Sequence, residues 1–90
     1  MENVMDEKAI VRKMMKLKGY NQTLIAEKAG FKWQSNVSEM MRSRNLRVDN
    51  LIKILDAMDC ELVIRSKTKV PREDDPNRTY KPEFVVELNH

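Results

Sequence analysis

Gln34, Ser35 and Asn36 stand in a row within GFKWQSNVSEMMRSRN, residues 30 to 45, and Ser38 and Glu39 follow closely. In the same stretch Val37, Met40 and Met41 are spaced i, i+3, i+4, so a helix here buries one edge and crowds the other with hydrogen-bonding groups. The chemistry of such an edge is recognition through amide and hydroxyl donors and acceptors, not bond making. Elsewhere the chain lacks a Ser/His/Asp set, a phosphate-cradling glycine loop and a tight carboxylate pair in an apolar setting. The acids at 73 to 75 lie among prolines and lysines in what reads as a loop. One cysteine, Cys60, and one histidine, His90, exclude an internal disulfide and a zinc-ligand cluster within one chain. A non-enzyme with no metal and no cofactor is the expectation, with Cys60 a small buried residue.

The 90 residues suit one small domain, since domains usually run about 50 to 200 residues. A composition 41% hydrophobic and 34% charged, with two glycines and three prolines, belongs to a folded, mainly helical chain. The opening MENVMDEKAI has acids ahead of its apolar positions and no continuous apolar core, which fits neither a signal peptide nor a membrane span, so a cytoplasmic protein is expected. Net charge is +3 but unevenly spread: +2 over residues 1 to 20, +3 over 21 to 47, −2 over 48 to 65 and zero over 66 to 90. The positive surplus surrounds the polar edge, as in a module that meets a polyanion. Lys8, Arg12, Lys13, Lys16 and Lys18 read instead as a solvated helix face.

Asp6 precedes EKAIVRKMMKLKG, in which Ile10, Val11, Met14 and Leu17 form an apolar stripe and Gly19 supplies a stop. Asn21 suits the N-cap of QTLIAEKA, with Leu24, Ile25 and Ala29 inward and Gly30 the next stop. A third helix runs from about Gln34 to Ser43, exposing Gln34, Ser35, Ser38, Glu39 and Arg42. A fourth follows in VDNLIKILDAMD, with Val48, Leu51, Ile54, Leu55 and Met58 as its stripe. ELVIR and FVVEL are of strand length, at 61 to 65 and 84 to 88, and the polar SKTKVPREDDPNRTYKPE between them, too long for a tight hairpin, reads as an exposed loop. Trp33, beside Phe31, reads as a half-buried cover for the core.

Two short helices joined by a tight glycine turn, the second presenting polar side chains, form the helix-turn-helix arrangement. QTLIAEKAGF resembles the first helix and turn of the Xre and Cro family of repressors, with Gln22 at the start, Ala26 where the helices cross and Gly30 at the end. NLRVDNLIKILDAMDCELVIR resembles the family's following helix, and together the likeness covers residues 10 to 65. One departure is visible: Val37 comes one residue later after Gly30 than in the usual family spacing, so the turn holds an extra residue and the start of the third helix shifts with it.

The resemblance implies a mainly α, four-helix lambda-repressor-like helix-turn-helix domain over residues 1–65, and beyond it the residue pattern reads as an exposed linker loop over 66–82 and a C-terminal strand over 83–90. With Val37 as anchor, the family's base-contacting positions fall on Gln34, Ser35 and Asn36, with Ser38 and Glu39 one turn later. Gln and Asn can pair bidentately with an adenine edge, Ser can donate or accept, and a carboxylate needs a cytosine amino group or a neighbouring cation. Capping claims one of Gln34, Ser35 and Asn36 as well, since Ser and Asn favour helix starts. Lys32, Arg42, Arg44, Asn45 and Arg47 flank the set and suit phosphates, as do Gln22 and Thr23 at the start of the second helix. The implied function is sequence-specific binding of double-stranded DNA as a homodimeric transcriptional repressor, with the strands pairing across the dimer. Two alternatives keep the fold: an antitoxin whose polar tail wraps a toxin while repressing their operon, and a phage-encoded protein-binding inhibitor.

Overall fold

Each helix begins and ends where local chemistry dictates. The computed structural model describes residues 5–88, so Met1 to Val4 and the lone histidine, His90, lie outside it. The chain divides after Cys60 into a helical unit and a β unit. In the helical unit, α1 (Glu7–Lys18) starts at Asp6, whose carboxylate accepts the Ala9 N–H at 2.8 Å, and stops at Gly19, in the left-handed region at φ 72°. Asn21 accepts the Leu24 N–H at 2.8 Å to start α2 (Gln22–Ala29), and Gly30, at φ 79°, ends it with the Phe31 N–H donating back to the Ala26 carbonyl. Then come α3 (Gln34–Arg42) and α4 (Val48–Ala57).

The core of this unit is Val11, Ile25, Ala26, Val37, Met41, Ile52, Ile54, Leu55, Ala57 and Met58, and α2 packs against both α3 and α4. Several stripes differ from those expected. On α1 Leu17 is 68% exposed and Ile10 largely so, while Val11 is buried and Met14 and Met15 half-buried. The inward line runs Val11, Met14 and Met15, and Lys18 follows one further helical turn along, exposed at the end of the helix. On α4 Val48 is exposed, because it is the first residue of the helix, and Ile52 and Ala57 take up the burial.

Lys18 thus ends an apolar line with a charged residue, and its ammonium explains how. Nζ donates to the carbonyls of Met58 at 2.7 Å and Asp59 at 3.1 Å, at the end of α4. Arg12 reaches the other way, its Nη2 donating to the Met41 carbonyl at 3.4 Å near the end of α3. Both side chains are exposed, as expected of a solvated face, and each also answers carbonyls that a helix C-terminus leaves without intrahelical partners. Asp59 itself sits at φ 55°, the left-handed position that closes α4, where the Cys60 N–H donates to the Leu55 carbonyl at 2.8 Å. Cys60 is half-buried, less enclosed than expected.

In the β unit, β1 (Leu62–Arg65) pairs antiparallel with β4 (Glu83–Val86) in the register Leu62↔Val86 through Arg65↔Glu83, so β4 starts one residue earlier than FVVEL suggests. The unit begins at Glu61 rather than after Arg65 because the hydrogen-bonded partner of β1 is β4. The intervening segment, expected to be a loop, carries a second ladder: β2 (Val70–Pro71) pairs with β3 (Thr79–Tyr80). Four residues, 66 to 69, stand against two, 81 and 82, between the ladders. Ser66 takes up the excess: its N–H donates to the Pro82 carbonyl at 3.0 Å and its hydroxyl to the Thr68 carbonyl at 2.6 Å. The acids at the tip are structural, with Asp74 bidentate to Arg72 and Asp75 accepting the Asn77 N–H at 3.1 Å.

Lys18→Met should lower unfolding free energy in urea by about 1 kcal/mol or more, since two carbonyls lose a charged donor. Asp59→Gly should raise it by about 1 kcal/mol, by relieving left-handed strain in a residue that carries a Cβ.

Candidate nucleic-acid interface

Gly30, Phe31, Lys32 and Trp33 form the turn between α2 and α3, and the helix proper starts at Gln34. Trp33, extended at φ −133° and ψ 144°, holds the N-cap position but has no oxygen on its side chain to cap with. Asn36 does the capping from inside the helix: its Oδ1 accepts the Trp33 N–H at 3.0 Å while its own N–H donates to the Trp33 carbonyl at 3.1 Å. The reciprocal half of a capping box is therefore made without the usual Ser or Thr.

Burial of Val37 and Met41 sets the rotation of α3. At about 100° per residue, Ser35, Glu39 and Arg42 fall opposite those two, and all three are exposed. Gln34 is exposed at the leading corner, whereas Asn36 and Ser38 are half-buried along the flanks. The polar edge anticipated as Gln34, Ser35, Asn36, Ser38 and Glu39 is thus brought together on one short helix, with unequal access. Asn36 has committed its oxygen to the cap and retains its amide hydrogens.

Across the turn, the Thr23 hydroxyl donates to Gln34 Oε1 at 2.9 Å. This bond ties the second residue of α2 to the first of α3 and fixes the Gln34 side chain, leaving its Nε2 group as donor. Gln22 is half-buried beside it. The cationic flank divides similarly. Lys32, Arg42, Arg44 and Asn45 are exposed, whereas Arg47, also exposed, pairs with Asp49 at 3.3 Å. Lys32 Nζ lies 5.6 Å from the centre of the Trp33 ring. Lys28 donates to the Tyr20 hydroxyl at 3.1 Å, and that bond holds its ammonium above the ordinary lysine pKa.

Trp33 is the residue that sequence reasoning misplaced. It is 61% exposed rather than a cover for the core. Val37 is the first buried residue of α3, and the chain ahead of it from Lys32 to Ser35 runs along the surface. Its place immediately before the helix start at Gln34 puts it at the N-cap, outside the helix.

No family model, curated protein or solved structure matches this chain. The interface stands on its own residues. Among the described residues no cluster of His, Cys, Asp or Glu could hold a metal ion, and no helix is long and apolar enough to cross a membrane.

The division between cap and presented groups is measurable without any ligand. Asn36→Ala should cost about 1 kcal/mol of stability in urea, as loss of a cap does, while Ser35→Ala should change it by less than about 0.5 kcal/mol.

Proposed function

We propose that the helical unit is a lambda-repressor-like helix-turn-helix that binds double-stranded DNA sequence-specifically, with α3 entering the major groove, and that the protein is a repressor of the Xre and Cro type. The observation that carries this reading is α3 itself: a helix anchored by Val37 and Met41 whose opposite edge shows Ser35, Glu39 and Arg42 to solvent, with Gln34 exposed at its first position and held to α2 by the Thr23–Gln34 bond. A groove about 12 Å wide admits such a helix. Gln34 and Ser35, at its leading end, read base edges; Glu39 accepts from a cytosine amino group and repels phosphate, which penalises off-register binding. Lys32, Arg42 and Arg44 neutralise phosphates and set the register.

The β unit supports pairing of two copies. None of the described residues 61 to 88 is buried. Its register puts Leu62, Ile64, Phe84 and Val86 on one face and Val63 and Val85 on the other, so both faces are apolar. A two-stranded ladder of this kind is marginal alone. A second copy covering it would give a homodimer with two recognition helices, which half-sites about 34 Å apart require. The same exposed Ile64 and Phe84 favour, as the second reading, a protein partner such as a toxin held by an antitoxin.

A gel shift against random duplex should show non-specific affinity that falls steeply with salt; no shift at low salt counts against DNA binding. On a duplex selected from a random pool, Gln34→Ala should cost about 1 to 3 kcal/mol and relax specificity, while Arg44→Ala should weaken all sequences alike and lower the salt slope by about 1. Sedimentation of the full chain should give a dimer that Phe84→Lys dissociates. A monomer before substitution would favour the toxin-binding reading.

A further inference from the structure

Trp33 is a large apolar ring left in water at the leading end of α3, immediately before Gln34. It is one of the exposed large apolar side chains of the helical unit, with Met5, Ile10, Leu17 and Val48, and the one that adjoins the start of α3. It contributes no side-chain hydrogen bond to the helix start it occupies. Lys32 lies against the ring, placing a cation within reach of whatever the ring touches. Neither capping nor core packing accounts for an indole at this position.

Resting on the DNA reading above, we propose that Trp33 is a specificity residue that packs against a thymine methyl group in the major groove, beside the base pair met by Gln34. The chemistry narrows the choice. The indole N–H can donate to a phosphate oxygen and the ring can rest on deoxyribose, but neither carries sequence, and among base edges in the major groove only the C5-methyl of thymine is apolar. A ring at the front of an inserted helix is desolvated on binding, and each methyl removed from water against it contributes favourably. Lys32 then neutralises the neighbouring phosphate while its stem steadies the ring. The preferred site therefore carries thymine at a defined position next to the Gln34 contact.

The test uses the full chain, a duplex selected from a random pool, and the same duplex with deoxyuridine replacing each thymine in turn. One replacement, at the contacted step, should weaken wild-type binding about fourfold, the value of one methyl group. Trp33→Ala should lose that sensitivity, keep the wild-type salt slope on random duplex and unfold at the wild-type urea midpoint, and Trp33→Phe should retain part of the sensitivity. Because the chain has a single tryptophan, its fluorescence reports on this residue alone and should shift to the blue on adding the selected duplex. Uracil replacement that affects wild type and Trp33→Ala equally, or fluorescence unmoved by a duplex that binds, overturns the assignment and leaves the DNA reading intact. Failure to bind any duplex overturns both.

Discussion

Burial of Val37, with no accessible surface, and of Met41 one turn later is the constraint on which the rest of the helical unit turns. A helix nine residues long has little intrinsic stability and could roll about its axis unless something holds it. Two anchors a turn apart remove that freedom. A roll of one residue would carry Ser38 towards the core, where an unpaired hydroxyl is costly, and would move the exposed line of Ser35, Glu39 and Arg42 off the outer face. Packing behind α3 thus decides the chemistry in front of it.

The remaining helices serve that arrangement through their ends. α1 sends Arg12 to the end of α3 and Lys18 to the end of α4, answering the partial negative charge at two helix C-termini. Both cations remain exposed and keep their charge, so α1 adds to the positive surface of the unit alongside Lys32, Arg42 and Arg44 beside α3.

Helix boundaries were legible because their signals are local. Asp6, Asn21, Gly19 and Gly30 act on backbone within a few residues, and each occupies the cap it was expected to. Burial was less legible, since it depends on neighbours that a sequence does not display. Leu17 and Val48 fit an apolar period yet face water, while Lys18, itself exposed, turns its ammonium to two carbonyls at the end of α4. The polar residues expected on a third helix do share α3, and one of them, Asn36, caps as expected, but Trp33 is exposed because the N-cap position holds it outside the helix. The inner ladder escaped notice because strands of two residues show no alternation to detect.

The mismatch between the two ladders, four residues on one arm and two on the other, is taken up in a bend at Lys67 and Thr68. Because residues 66 to 69 belong to neither ladder, the register of Leu62–Arg65 with Glu83–Val86 and that of Val70–Pro71 with Thr79–Tyr80 are each set within their own strands. A change of length in the bend therefore alters the reach of the arm and leaves both pairings as they are.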